Sequence, residues 1–202
     1  MEKKLTGCVL VNAILLVTLA FYFFFYPAVI IIRDLNDPGL TSGDAPPRFA
    51  YGWHRSLSAK YEKWARERVA SGNAAGMSIH DISGTEWPIF GTVFYLWATE
   101  SLQEAWEKDP SLSRVAPKDY ARGAIEASAA LVSDPNHAGW VRKHWGDEYL
   151  LHENLFYRML LLSGLTSYQK LTDDDKYEPL LRAQTESLAQ ELDRSPYGLL
   201  DD

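Results

Sequence analysis

The longest uninterrupted apolar pattern lies near the N-terminus, where the 28 residues from Leu5 to Ile32 contain no charge. As an α-helix this run would be about 42 Å long, against a bilayer hydrocarbon core of about 30 Å. It is longer than the apolar region of a secretory signal peptide, and no small-residue cleavage site follows it. We therefore predict an uncleaved membrane anchor, residues 1–33, that contacts the lipid bilayer through residues 5–32.

Charged residues on both sides of this run predict its orientation. Lys3 and Lys4 precede it, whereas Arg33 follows it and is accompanied by Asp34 and Asp37. Basic residues are enriched on the cytoplasmic side of membrane helices. The sequence thus predicts a single-pass protein with a cytoplasmic N-terminus and a periplasmic or extracellular remainder.

Beyond the anchor, the spacing of apolar residues is helical and no strand-like alternation occurs. Residues 34–52 are rich in Pro, Gly and Asp and predict a linker. A helical domain over 53–202 follows, with helices predicted at 53–71, 88–108, 117–133, 150–171 and 176–194. The helices at 88–108 and 150–171 are apolar on nearly every face and alternate with amphipathic ones. This alternation predicts an all-α fold of antiparallel hairpins in two layers.

Charge and metal-binding residue types exclude several functions. Residues 34–202 contain 17 basic and 26 acidic residues, a formal charge of −9, which argues against binding to nucleic acid or to an anionic membrane surface. The single cysteine, Cys8, cannot form an intramolecular disulfide or a thiolate zinc site. The five histidines lack metal-ligand spacing, and we expect most of them to lie in loops or on the surface. No metal site is predicted.

Several short motifs in the second half of the chain resemble the linalool dehydratase/isomerase family. They are WGD at 145–147, ENLFY at 153–157, YQ at 168–169 and SPYG at 195–198, and the resemblance covers roughly residues 77–202. It implies that the helical domain is the N-terminal part of an (α/α)6 toroid. It further implies a periplasmic location and a reaction that needs no cofactor.

The same resemblance implies candidate catalytic residues. The family protonates and removes an allylic hydroxyl, and Asp81 stands at the position of its first catalytic aspartate. Trp87, Leu160 and Asp201 stand where the family has Tyr, His and Cys. The carboxylates of Asp81, Asp201 and Asp202 are therefore the candidates for general acid–base chemistry on an isoprenoid alcohol or a glycan. Such an enzyme would be a lyase or isomerase, or a glycan-acting hydrolase.

Substrate contacts are predicted at Trp87 and Trp145, which offer stacking surfaces, and at Glu153 and Asn154. Each candidate also has a structural interpretation. Asp81 could close an Asx turn, and Glu153 and Asn154 could bind backbone amides at a helix start. The alternative function is a non-catalytic, membrane-tethered interaction module or a subunit of a membrane complex. A second copy or a partner chain would then complete the barrel.

Overall fold

The computed structural model describes residues 2–43, 45–78, 80–151 and 154–200, with side chains from Leu10 onward. Every regular element in these residues is helical, which confirms the predicted all-α class. The chain forms two compact units, residues 1–50 and residues 51–202.

In the first unit the apolar run is helical from end to end, as α1 (Glu2–Ala20), a π-helix (Phe21–Phe25) and α2 (Tyr26–Leu35). Pro27 explains the π-helix, because it has no amide to bond the carbonyl of Phe23 and its ring crowds that carbonyl. Residues Leu10–Leu35 have a mean hydropathy of 2.4, and none of the apolar window is buried. Among the described residues this is the one helix long and apolar enough to cross a membrane.

Two further helices begin within the predicted linker. They are α3 (Gly39–Ser42) and α4 (Arg48–Ser71). One carboxylate serves both starts, since Asp37 accepts hydrogen bonds from the amides of Gly39 and Arg48, each at 2.9 Å. Residues 48–52 are therefore helical, and α4 starts five residues before the predicted position because this distant carboxylate binds its first amide.

The second unit continues with short and long helices. They are a 3-10 turn (Asn73–Gly76), α5 (Glu86–Lys108), a 3-10 turn (Pro110–Leu112), α6 (Pro117–Tyr120), α7 (Arg122–Val132), α8 (Gly139–Trp145), α9 (Leu155–Thr172) and α10 (Glu178–Arg194). The predicted helix 117–133 is divided at Ala121, where φ is −101° and ψ is 4°. Helix α8 lies between the predicted helices 117–133 and 150–171, where no helix was predicted.

Buried polar groups line the interface between α4 and α5. As the residue number rises on α4 it falls on α5, so the two helices are antiparallel. The contacts are Tyr51 Oη to the Leu102 carbonyl at 3.1 Å, His54 Nε2 to Thr99 Oγ1 at 2.9 Å, Tyr95 Oη to Ser58 Oγ at 2.8 Å, and Tyr61 Oη to Thr92 Oγ1 at 2.6 Å. We call these four contacts the polar seam.

The direction of the hydrogen bonds in the polar seam can be derived. The hydroxyl of Thr99 donates to the carbonyl four residues earlier at 2.7 Å, so its oxygen must accept from His54 Nε2. His54 Nδ1 then accepts from the hydroxyl of Tyr120 at 3.0 Å. In the neutral imidazole the proton is therefore on Nε2. Burial lowers the pKa of His54 to about 4, which keeps it neutral at physiological pH.

Helices α5 and α9 run in the same direction. The rings of Phe90 and Phe156 lie 5.0 Å apart near the starts of the two helices, and Trp97 Nε1 donates to Ser163 Oγ at 2.9 Å further along. Helix α10 runs opposite to α9, since early α10 meets late α9. The hydrogen bonds that show this are Gln169 Nε2 to Glu178 at 3.2 Å and Arg158 NH1 to Glu191 at 2.6 Å.

The apolar core lies where α5, α7 and α9 meet. Gly164 of α9 lies at the crossing, where an added Cβ would be 3.3 Å from Val93 and 3.4 Å from Val132. The absence of a side chain there lets the three helices approach closely. The fully buried residues around it are Ile89, Val93, Leu96, Ile125, Leu131, Val132 and Leu165.

Candidate functional site

An open cleft of about 480 Å³ separates α8 from the start of α9. Its lining residues are Trp140, His144, Trp145, Asn154 and Phe156. Trp140 and His144 are four residues apart and lie on one face of α8, and Trp145 follows as its last residue. The cleft therefore brings together two predicted substrate contacts, Trp145 and Asn154, and adds an imidazole and two further aromatic rings.

Local packing holds the two tryptophans differently. Trp140 contacts Tyr157 edge-to-face at 6.1 Å, and its indole nitrogen is buried without a hydrogen-bond partner among the described residues. Trp145 is 37% exposed at the end of α8, which closes at Gly146 with a φ of 74°. Trp140 thus forms a fixed wall, and Trp145 offers an accessible ring face.

Asn154 occupies the position before the first residue of α9 and is only 4% exposed. Its side chain makes no capping hydrogen bond to the amides of α9 and instead donates to the carbonyl of Tyr149 at 3.5 Å. The amide-binding interpretation is therefore not what the structure shows for Asn154. Among the described residues its carboxamide oxygen has no hydrogen-bond partner, since only its nitrogen takes part in that contact. Glu153 lies outside the described residues.

Asp81 closes a turn before α5. Its carboxylate accepts from Ser83 Oγ at 2.7 Å and from the amide of Gly84 at 3.0 Å. These bonds, with the nearby charge of Arg68, lower the pKa of Asp81. Asp81 is therefore a carboxylate at neutral pH, able to accept a proton or a hydrogen bond. The residues that line the cleft do not include it, and Asp201 and Asp202 lie outside the described residues.

Trp87 lies in the first turn of α5 and is exposed. Because α5 and α9 are parallel, their starts share one end of the domain, and the Phe90–Phe156 contact joins them there. Trp87 and Asn154 therefore lie at the same end. The structure brings Trp145 and Asn154 into one cleft and leaves Trp87 outside its lining.

Among the described residues, two of the five histidines are buried, one on helix α4 and one in the turn before α8. His54 belongs to the polar seam. His137 is 1% exposed, and its Nδ1 lies 2.7 Å from Asp134 Oδ2. Burial lowers the pKa of His137 and outweighs the opposing effect of Asp134. The burial of His54 could have been predicted from its position in the helix, because it shares a helical face with Tyr51, Ser58 and Ala65.

A second groove, of about 580 Å³, runs between α5 and α9. Trp97, Leu155, Met159 and Leu162 give it apolar walls, while Glu100 at one end is bound by Ser167 and Lys170. The carboxylate of Glu100 is already paired. This groove is therefore suited to apolar contact more than to proton transfer.

In the part of the chain that the structure describes, no three His, Cys, Asp or Glu residues group closely enough to hold a metal ion. Comparison with known protein families, curated proteins and solved structures found no match for this chain.

Proposed function

We propose that this protein is a membrane-anchored, extracytoplasmic domain of the α/α-toroid type that binds a hydroxylated substrate in the cleft between α8 and α9. The observation that carries the proposal is the grouping of Trp140, Trp145 and Asn154 around one open cleft. The substrate class is an isoprenoid alcohol or a glycan, as in a linalool dehydratase/isomerase-like enzyme or a glycan-acting hydrolase. Lys3 and Lys4 support the cytoplasmic position of the N-terminus.

The directions of the helices support the toroid. Parallel α5 and α9 lie next to each other, and α4 and α10 run opposite to the helices they pair with. A ring of repeated hairpins places alternate helices parallel in an inner layer and their partners in an outer layer. Helices α5 and α9 each bury one side in the apolar core, as inner helices do.

The cleft residues match the chemistry of a hydroxylated ligand. Indole faces stack on the apolar faces of sugar rings or on isoprenoid chains, and the Asn154 carboxamide supplies a hydrogen bond for a hydroxyl group. Removal of a hydroxyl as water requires a proton donor. Asp81 has a lowered pKa and does not line the cleft, so we assign that role to His144, whose imidazole is on the cleft wall.

Ligand titrations of the full chain in detergent test the binding function. Geraniol and a linear N-acetylglucosamine trisaccharide serve as probes, with binding followed by calorimetry. We expect one of them to bind and Trp145→Ala to weaken that binding about tenfold, as for a stacked aromatic contact. Trp53→Ala is the matched control, because Trp53 lies on α4 and does not line the cleft. Equal losses in both variants, or no binding of either probe, would contradict the proposal.

Turnover of the bound probe tests the acid–base assignment separately. We expect the His144→Gln variant to form no product, as measured by chromatography. Its affinity for the probe should stay within about twofold of the unsubstituted protein. Unchanged turnover in this variant would remove His144 from the reaction. Asp81→Ala then decides whether the turn carboxylate takes part.

The groove between α5 and α9 favours a second candidate, a non-catalytic module that self-associates. Phe94 and Met159 are about half exposed beside this groove, and exposed apolar patches of this kind mark association sites. Sedimentation of the full chain in detergent would show concentration-dependent dimers, and Phe94→Asp would abolish them. A monomer at all concentrations would exclude this candidate.

A further inference from the structure

Helix α4 exposes an aromatic stripe on the flank beside its buried face. Trp53, Leu57, Lys60 and Trp64 recur at the spacing of one helical face, and Trp53 and Trp64 are 65% and 38% exposed. The side that packs on the domain carries the polar seam residues and Ala65. Trp64 contacts the ring of Tyr61 in the polar seam at 5.3 Å, so one end of the stripe borders the packed side of α4, while Trp53, Leu57 and Lys60 are exposed.

The charge of α4 is opposite to that of the surrounding domain. Its 24 residues include six Lys or Arg and two Glu, a net charge of +4. Residues 34–202 as a whole carry −9. Lys60 lies within the stripe and Lys63 lies beside it, and both are exposed. The net charge of residues 34–202 predicted no contact with an anionic membrane surface. That sum conceals the positive charge of α4.

Tryptophan and lysine on one exposed flank suit a membrane interface, where indole rings lie at the headgroup level and basic groups contact anionic lipid. Trp53 follows the last residue of the apolar helix, Leu35, by only 18 positions. The chain between them can span at most about 60 Å. A tether of this length gives the stripe a high effective concentration at the bilayer surface.

We propose that the stripe Trp53, Leu57, Lys60 and Trp64 docks on anionic phospholipid headgroups of the bilayer that holds the N-terminal helix. The inference rests on the proposed membrane anchoring and adds a second, reversible membrane contact made by the helical domain. Docking would orient the domain on the bilayer, and an apolar substrate could then pass between lipid and protein without crossing bulk water.

Spin labelling of the full chain in nanodiscs tests this docking. Because Cys8 is the single cysteine, a Cys8→Ser background allows one label at a time, at Ser56→Cys beside the stripe or at Ala189→Cys on α10 as control. The nanodiscs contain phosphatidylcholine with or without phosphatidylglycerol, and a nickel-chelating lipid relaxes labels near the headgroups. We expect strong relaxation at position 56, dependent on phosphatidylglycerol and weakened by salt, and little at position 189.

Two sets of variants sharpen the result. A lysine near an anionic surface contributes roughly a fivefold preference, so Lys60→Gln should lower the docked-to-free ratio about fivefold. Arg194→Gln on α10 is the matched control and should leave the ratio unchanged. Trp53→Ala with Trp64→Ala should abolish docking, and circular dichroism verifies that this doubly substituted chain stays folded.

Equal relaxation at positions 56 and 189 would overturn the proposal. Immobilisation of the label at position 56 that increases with protein concentration in lipid-free detergent would also overturn the proposal. It would show that a second copy of the chain covers the stripe. Failure of the chain to co-elute with nanodiscs would instead contradict the anchoring itself. The two failures are therefore distinguishable.

Discussion

The two interfaces of α5 differ in chemistry. Toward α4 it forms the polar seam, in which hydroxyl, imidazole and carbonyl groups meet at 2.6 to 3.1 Å. Toward α7 and α9 it packs apolar side chains around Gly164. The α4 interface is held mainly by buried hydrogen bonds. The interface with α7 and α9 is held mainly by close packing, with hydrogen bonds of Trp97 and Glu100 along one side.

This difference separates two properties that are often treated together. A shift of α4 by one helical turn would break every contact of the polar seam and leave buried polar groups unpaired, so the seam fixes the register of the two helices. The apolar interface tolerates small shifts but removes much more hydrocarbon from water. We expect the apolar interface to supply most of the stability and the polar seam to select one alignment.

Truncation of a buried leucine in the apolar interface should give the largest effect. Leu165 on α9 is fully buried, and Leu165→Ala should lower the free energy of unfolding by about 4 kcal/mol through lost transfer energy and a residual cavity. Urea unfolding of the full chain in detergent, followed by circular dichroism, measures the loss. Leu192→Ala on the exposed part of α10 is the control and should cost less than about 1 kcal/mol. Similar losses at both positions would contradict the assignment of the core.

Acid should weaken the polar seam selectively. The folded pKa of His54 is about 4 against about 6.5 in an unfolded chain, so between these values the unfolded state binds a proton that the folded state does not. The stabilisation is complete above pH 6.5, decreases as pH falls, and is lost by pH 4. The decrease should reach about 3 kcal/mol for a shift of this size.

Substitution of the histidine isolates its share of that decrease. His54→Gln should flatten the pH dependence between pH 6.5 and 4, apart from the smaller contribution in the same direction from His137, whose pKa is also lowered. His80→Gln, at an exposed position, is the control and should leave the curve unchanged. An unaltered slope in His54→Gln would show that another group causes the acid sensitivity.

Loss of a single hydroxyl from the polar seam should give the smallest effect. Tyr61→Phe removes the donor to Thr92, whose own hydroxyl stays bonded to the Pro88 carbonyl at 2.6 Å. The expected loss is about 1 kcal/mol of unfolding free energy. Tyr197→Phe, at an exposed tyrosine, should cost nothing measurable. A loss at Tyr61 as large as that at Leu165 would mean that hydrogen bonds, not packing, dominate the stability of α5.

The sequence predicted the long helices because their apolar spacing and their stop signals act locally. The start of α5 differs by two residues from the prediction, and α10 ends at the predicted Arg194. The start of α4 could not be found this way, since it depends on Asp37, eleven residues earlier in the chain. Helix α8 was missed because its seven residues are too short to show a period.

The candidate site was only partly predictable. Trp145 and Asn154 were named from short motifs, and they do line one cleft. His144 was overlooked because an isolated histidine has no spacing partner, and its role depends on how α8 meets the start of α9. The turn at Asp81 depends on hydrogen bonds from Ser83 and Gly84, which are two and three residues away in the sequence. Such a turn was therefore among the expected interpretations of Asp81.

The parallel pairing of α5 and α9 also has a consequence for synthesis on the ribosome. Trp97 meets Ser163, 66 residues further along the chain. At typical translation rates of about 5 to 20 residues per second, α5 would wait about 3 to 13 s for its partner to appear. The α4–α5 hairpin can form during this interval, but one apolar side of α5 stays uncovered until α9 has been made. Nascent chains of this protein should therefore depend on chaperones between the synthesis of α5 and that of α9.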